Sequence, residues 1–186
     1  MIPMWKLGGR IGNQMFQYAY LYSQAKNGEI PDIYVQDLEY FKDYLMEIKS
    51  LFRQGVPDKM DMVAIHVRRG DYAGNPFYVD LAEETSYYED AMDLFPPDTK
   101  FVVFSDDIEW CKRRNIFKDC EFSHGTEIED MNNIASCVGQ IIANSSFSWW
   151  GAFISPYSKK VIAPSSEHWY SDGEDRTKCP DSWIRI

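Results

Sequence analysis

At 186 residues, with 29 acidic and 19 basic side chains and a formal net charge of -10, the chain fits one ordinary domain, alone or with an appendage, and has no general attraction for nucleic acid or anionic lipid. A composition 45% hydrophobic and 16% aromatic excludes disorder, and against that net charge an anionic ligand needs a local basic site. Cys111, Cys120, Cys137 and Cys179 lack C-x-x-C spacing and are expected to be reduced thiols, and neither a basic-then-apolar leader nor a run of roughly 18 apolar residues is present, which points to the cytoplasm.

In chain order, Ile2 to Leu7 is expected to be a short first strand. The turn Gly8-Gly9-Arg10-Ile11-Gly12-Asn13 follows, with glycines that allow close backbone approach and a helix start whose amides can receive an anion. It is neither Gly-x-Gly-x-x-Gly nor a Walker loop, so a nucleotide sugar suits it better than a dinucleotide or a triphosphate. Gln14 to about Lys26 reads as a helix with Met15, Phe16, Ala19, Tyr20 and Tyr22 on an apolar face. Gly28 to Pro31 stops it, and Ile33-Tyr34-Val35 is extended. Leu38, Phe41, Leu45, Ile48 and Phe52 then recur at helical spacing between charged residues, the pattern of an amphipathic helix covering a neighbour. Polar residues and Pro57 mark a boundary that divides the chain into residues 1–58 and 59–186.

Beyond the boundary, Ala64-Ile65-His66-Val67 is an interior strand that ends abruptly in Arg68-Arg69-Gly70-Asp71. Loops past the carboxyl ends of strands in an open α/β sheet form the ligand crevice, so two guanidinium groups there suit a phosphate or diphosphate. Solvated charges on an exit loop are the other reading of the same residues. Glu84 to Phe95 is expected to be a helix with Tyr88, Ala91, Met92 and Phe95 inward, ended by Pro96-Pro97. Phe101 to Phe104 is a second central strand and opens into Ser105-Asp106-Asp107, a pair of carboxylates that capping or solvation explains.

A short helix from Ile108 to Arg114 and an edge-like strand at Glu121-Phe122 follow. Thr126-Glu127-Ile128-Glu129 has the form of a capping box, with Ile128, Met131, Ile134 and Ala135 on the buried side of its helix. The strand from Val138 to Ala143 ends in Asn144-Ser145-Ser146, a strand-to-helix corner whose hydroxyls and amides suit phosphate. Lys160 to Ala163 is the last expected strand, and Trp169 and Trp183 are expected to pack back onto the body. The recurrence of strand, polar loop and helix predicts a doubly wound α/β fold. No compact His/Cys/Asp/Glu set has metal-ligand spacing, so no metal is expected.

Four stretches in order, Gly8 to Ala19, His66 to Tyr72, Phe104 to Asp107 and Asn144 to Ala152, together resemble the bacterial α-1,2-fucosyltransferases of glycosyltransferase family 11. That family transfers L-fucose from GDP-β-L-fucose to a galactose hydroxyl of a glycan with inversion. The resemblance implies a GT-B-like enzyme with a nearly complete Rossmann-like donor lobe over 59–186. Residues 1–58 would hold a truncated amino-terminal lobe and an interlobe helix, since complete members carry much more chain between the first helix and the segment 33–53.

By the same resemblance, Arg68 is the arginine of the family's His-x-Arg motif and clamps the diphosphate. A fixed bidentate donor is independently suited to that role. His66 would lie beside the nucleotide or order the loop as a satisfied strand histidine. Asp130 would accept from the guanine edge or be an ordinary exposed helix residue. Ser145 and Ser146 would hold phosphate, Asn13 would orient phosphate or acceptor, and Arg10 and Gly12 would complete the first motif's anion site. Arg69 would bind phosphate or pair with a carboxylate. Asp106 is assigned to the nucleotide site, and Asp71, Asp106 and Glu39 are base candidates by residue type, Asp71 equally as a loop organiser.

The implied partners are GDP-β-L-fucose and a galactose-terminated glycan, without metal, cofactor or nucleic acid. The implied location is the cytoplasm or the inner face of a bacterial membrane. Apolar surface left by a shortened lobe would favour a homodimer. A GDP-sugar-binding module without turnover is the alternative expectation.

Overall fold

The computed structural model describes residues 9–27, 37–173 and 177–186. The strand expected over 2–7, the helix stop over 28–31 and the extended stretch 33–35 lie outside them. Among the described residues the strands are β1 (Met60–Val67), β2 (Phe101–Ser105), β3 (Glu121–Phe122), β4 (Cys137–Ile141), β5 (Lys160–Ala163) and β6 (Ile184–Arg185). They pair in parallel in the order β3-β2-β1-β4-β5-β6. This is the order of a doubly wound, Rossmann-like sheet, whose winding reverses between β1 and β4. Ile65 sits beside Val103 on one side and Ile141 on the other, so the central strands finish at a common edge. The short β6 was not expected: two residues show no periodicity, and only their pairing with Ile162 and Ala163 makes them a strand.

The helices are α1 (Ile11–Asn27), α2 (Leu45–Phe52), α3 (Tyr87–Asp93), α4 (Ile108–Lys112), α5 (Glu127–Ser136) and α6 (Ser146–Ile154). Alternation along β1 sorts its side chains between two layers. Val63, Ile65 and Val67 pack with Tyr87, Tyr88, Ala91 and Cys111 of α3 and α4, while Ala64 packs with Phe104, Ile134 and Cys137 on the other face. The capping box at the start of α5 is present: Thr126 Oγ1 accepts from the Glu129 amide, and the Glu129 carboxylate accepts from the Thr126 amide. Met131, Ile134 and Ala135 are buried as expected, but Ile128 is 62% exposed. Its turn reaches the rim of a cavity, which Glu127 and Asp130 line.

Residues Ser148 to Ile154 of α6 are all buried. A helix apolar on every side belongs in the middle of the molecule. Phe16 of α1 lies with ring centroids 4.6 Å from Trp149 and 5.0 Å from Trp150, and Ile48 of α2 joins the same cluster. The helical spacing over 38–52 is realised in two pieces, a 3-10 segment (Leu38–Tyr44) kinked at Phe41 and then α2. At the kink, Phe41 is buried and stacks on Trp150 at 5.9 Å. Trp169 is buried and Trp183 packs 5.6 Å from Trp149, as expected of the tail. All four cysteines are free thiols. No described helix is long and apolar enough to cross a membrane.

Candidate functional site

A cavity of about 560 Å³ opens at the carboxyl edge of the sheet, lined by the exits of β1, β2, β4 and β5 and by the start of α1. It lies where the winding reverses, the place at which open α/β sheets form their ligand crevice. Arg10, Gly12, Asn13, His66, Arg68, Asp71, Asp106, Asp130, Ser145 and Ser146 all line it. Glu39 does not; its carboxylate pairs with Lys42 at 2.8 Å.

Arg68 sits at the centre, and its side chain is 9% exposed. One terminal nitrogen donates to Asp106 and the other to Asp71. The second oxygen of Asp106 accepts from the Arg69 amide at 2.9 Å, and Arg10 lies 3.7 Å from the same carboxylate. Burial raises the pKa of Asp106, yet the Arg69 amide and the Arg68 charge outweigh it and hold the carboxyl below its ordinary range. An ionised, fully engaged carboxylate is a poor base and a good anchor. A Cβ on Gly70 would collide with Asp106 Oδ2, so glycine is what lets this carboxylate close on the loop.

Arg69 does not line the cavity. Its guanidinium pairs with buried Asp80 and lies 3.9 Å above the Trp110 ring. Consecutive residues leaving a strand point to opposite sides, so only one of two adjacent arginines can face the crevice. Of the two roles expected for Arg69, the phosphate contact assigned to it at the nucleotide site is not observed, and the carboxylate pairing is. Asp107 turns away too: its side chain accepts from the Trp110 amide at 3.0 Å and caps α4.

Beside Arg68, the amino termini of α1 and α6 meet. A Cβ on Gly12 would lie 2.6 Å from the Phe147 nitrogen, and Ser146 Oγ donates to Asn13 Oδ1 at 2.7 Å. Ser145 caps α6, its hydroxyl accepting from the Phe147 amide at 3.3 Å. Two helix starts bring two positive dipole ends to one place, which favours an anion. Gly12→Ala is expected to push the two helices apart and to cost about 1–3 kcal/mol of stability through overpacking. Thermal melts check this; an unchanged melting temperature would show that the contact between the helix starts yields without cost.

His66 faces α6, with Nδ1 2.9 Å from Ser148 Oγ, and its carbonyl accepts from the Tyr88 hydroxyl at 2.9 Å. Burial pushes its pKa from 6.5 down to about 3, so the ring at the cavity floor is neutral and adds no charge for a phosphate. The unfolded chain takes up this proton below pH 6.5, whereas the folded one resists until about pH 3. Stability therefore falls with pH across that window, by about 1.4 kcal/mol per pH unit for one proton. A His66→Asn variant should lose correspondingly less stability between pH 6.5 and 5 than the wild type in denaturant titrations; equal slopes would show that His66 titrates normally.

The two ends of the cavity differ in chemistry. At one end Asp130 accepts from Ser123 Oγ at 2.5 Å, burial raises its pKa, and Glu127 lies beside it in the lining. At the other end stand Tyr72, Tyr78, Trp169 and Tyr170, which were not among the expected site residues. Tyr72 and Tyr78 stack with centroids 3.9 Å apart and planes within 4°. The rule that placed Arg68 in the crevice, loops past the carboxyl ends of strands, applies equally to residues 164–170 after β5 and was the signal available for Trp169 and Tyr170. Among the described residues, no three His, Cys, Asp or Glu side chains cluster as a metal site.

Comparison with known proteins matches residues 40–184 to the glycosyl transferase family 11 model. The chain is 32% identical to an alpha-1,2-colitosyltransferase of Escherichia coli, over 91% of this chain and 67% of that protein. It is 27% identical to the O-antigen biosynthesis glycosyltransferase WbnK of Escherichia coli, over 88% of this chain and 62% of that protein. It is 30% identical to the galactoside 2-alpha-L-fucosyltransferase SEC1 of Bos taurus, over 54% of this chain and 30% of that protein. No solved structure matches the chain. The chain thus spans about two thirds of the first relative and less of the other two. The matched stretch contains the parallel sheet from β1 to β5, Arg68 with both of its carboxylates, and the serine corner after β4, and by that match the chain belongs to glycosyltransferase family 11.

Proposed function

We propose that this chain carries the donor site of an inverting glycosyltransferase that moves L-fucose from GDP-β-L-fucose to a galactose hydroxyl, forming an α-1,2 linkage. The supporting observation is Arg68 at the reversal of the sheet, held by Asp71 and Asp106 beside two helix starts. The diphosphate lies between Arg68, Arg10 and those helix starts, with Asn13, Ser145 and Ser146 beside it, and the guanine edge meets Asp130. The acceptor oxygen attacks the anomeric carbon opposite the leaving group. The new oxygen–carbon bond forms as the bond to the diphosphate breaks, and GDP keeps the electron pair. Arg68 stabilises the charge that develops on GDP. The acceptor proton passes to a carboxylate, for which Asp71, the more exposed of Arg68's two partners, is the candidate.

The activities for which two relatives are named, alpha-1,2-colitosyltransferase and galactoside 2-alpha-L-fucosyltransferase, support this donor class and linkage. A GT-B-like arrangement with residues 59–186 as donor domain and 1–58 as part of the other lobe belongs to the same proposal. The test is product analysis with GDP-β-L-fucose and galactose-terminated acceptors, alongside calorimetry with GDP. A 1,2-linked product supports the proposal. Binding without transfer would reduce it to a GDP-sugar-binding module, and a folded sample that does not bind GDP defeats both.

A further inference from the structure

Arg68 is gripped at its edges by two carboxylates, and a third contact meets its face. Asp71 and Asp106 take its terminal nitrogens, while the guanidinium carbon lies 5.4 Å from the centroid of the Tyr72 ring, within reach of a cation–π contact. The loop beyond β1 makes this possible by folding back on itself, the amides of Tyr72 and Ala73 both donating to the Arg69 carbonyl at 2.8 Å. Asp71 is 57% exposed and its hold on the arginine is screened by water, so the ring is the firmer guide on that side.

The far end of Tyr72 reaches the exit of another strand. Its hydroxyl donates to the backbone carbonyl of Asn144 at 3.0 Å, 72 residues away and directly before Ser145 and Ser146. Burial raises the pKa of the phenol, so the hydroxyl stays protonated and keeps its donor role. Asn144 is itself fixed. Its side chain is buried, with the nitrogen 3.0 Å from the Val79 carbonyl and 3.1 Å from those of His168 and Trp169. Turning that amide over would set its oxygen against three carbonyl oxygens, so one orientation is held. The Tyr72 ring also stacks on Tyr78, with centroids 3.9 Å apart. Tyr72 is a strut between the arginine and the serine corner, braced at both ends.

Resting on the diphosphate reading of Arg68 given above, we infer that Tyr72 is a positioning residue: it holds the plane of the Arg68 guanidinium at a set place relative to the Ser145-Ser146 corner, so that one anion meets both. A planar fork binds a diphosphate only when its N–H groups aim at phosphate oxygens. Two carboxylates at its edges leave it free to tilt about the line between them, and the ring against its face stops that tilt. An arginine that tilts freely must be ordered as the anion binds, which costs affinity. The role requires no contact between Tyr72 and the ligand.

The experiment is titration calorimetry with GDP on the full chain, in a double-mutant cycle of Tyr72→Phe and Arg68→Ala, with melting curves reporting the fold of each variant. Tyr72→Phe keeps the ring and removes only the bond to Asn144, and it should weaken GDP binding about fivefold, the worth of one net hydrogen bond. Tyr72→Leu, which removes the ring as well, should lose roughly tenfold or more. In the Arg68→Ala background, Tyr72→Phe should change GDP affinity by less than about twofold, because the group it positions is gone. Equal losses in both backgrounds overturn the inference, since Tyr72 would then act on the ligand independently of Arg68. So does a Tyr72→Phe variant whose melting temperature falls while its GDP affinity stays at the wild-type value, the mark of a hydrogen bond that serves the fold alone. Both of these outcomes leave the diphosphate site standing. A wild type that does not bind GDP removes that site and the inference with it.

Discussion

Arg68→Ala is expected to weaken GDP binding at least a hundredfold while the protein still unfolds in one cooperative transition. Two charge-assisted hydrogen bonds to a diphosphate are together worth about 3 kcal/mol or more, and 1.4 kcal/mol is a factor of about ten. The loss is compounded because Asp71 and Asp106, both paired to this guanidinium, would then present uncompensated negative charge to the anion. The fold should survive because Asp106 keeps the Arg69 amide at 2.9 Å and the β1 core does not include the Arg68 side chain. Arg68→Lys should lose about tenfold, since one ammonium cannot span two carboxylates and a diphosphate as a planar fork does. Titration calorimetry reads both variants; near-wild-type affinity in Arg68→Ala would end the diphosphate assignment.

Asp80→Ala should produce the largest loss of stability, about 3–5 kcal/mol, because it strands a buried guanidinium. For a chain of this size that is a fall in Tm of roughly 10 °C. Asp80 is 4% and Arg69 8% exposed, and Asp80 Oδ1 also accepts from the Ala82 amide at 3.2 Å. Asp80→Asn keeps an acceptor at that place and should cost less. Denaturant titration decides it, and a loss below about 1 kcal/mol would show that Arg69 re-pairs, with Glu83 at 3.7 Å the nearest alternative. GDP affinity should change far less than in Arg68→Ala, since the Arg69 side chain points away from the cavity.

The elements read most accurately from sequence were those with local signatures. The strands at 101–104 and 160–163, the edge strand at 121–122 and the capping box at 126–129 fall where propensity and spacing placed them. The tryptophan pair at 149–150 is core. Ile128 had the right spacing to be buried, but spacing is blind to where a helix overhangs its sheet. The direction of Arg69 was equally hidden, because its partner Asp80 lies in a loop that no periodicity marks.

By itself the sequence determined a doubly wound α/β chain with an arginine at the exit of its first central strand, since burial pattern and an abrupt change to charge are properties of consecutive residues. The tertiary structure decided which loops share that exit. Arg68 meets Asp106 across 38 residues through the pairing of β1 with β2, and Asn13 meets Ser146 across 133 through the packing of α1 on α6. The strand order brings Tyr78 to Tyr170 and makes a wall of aromatics that are unremarkable in their own loops. Strand pairing is a long-range choice of the whole core, so the local code could mark the anion site but not the surface opposite it.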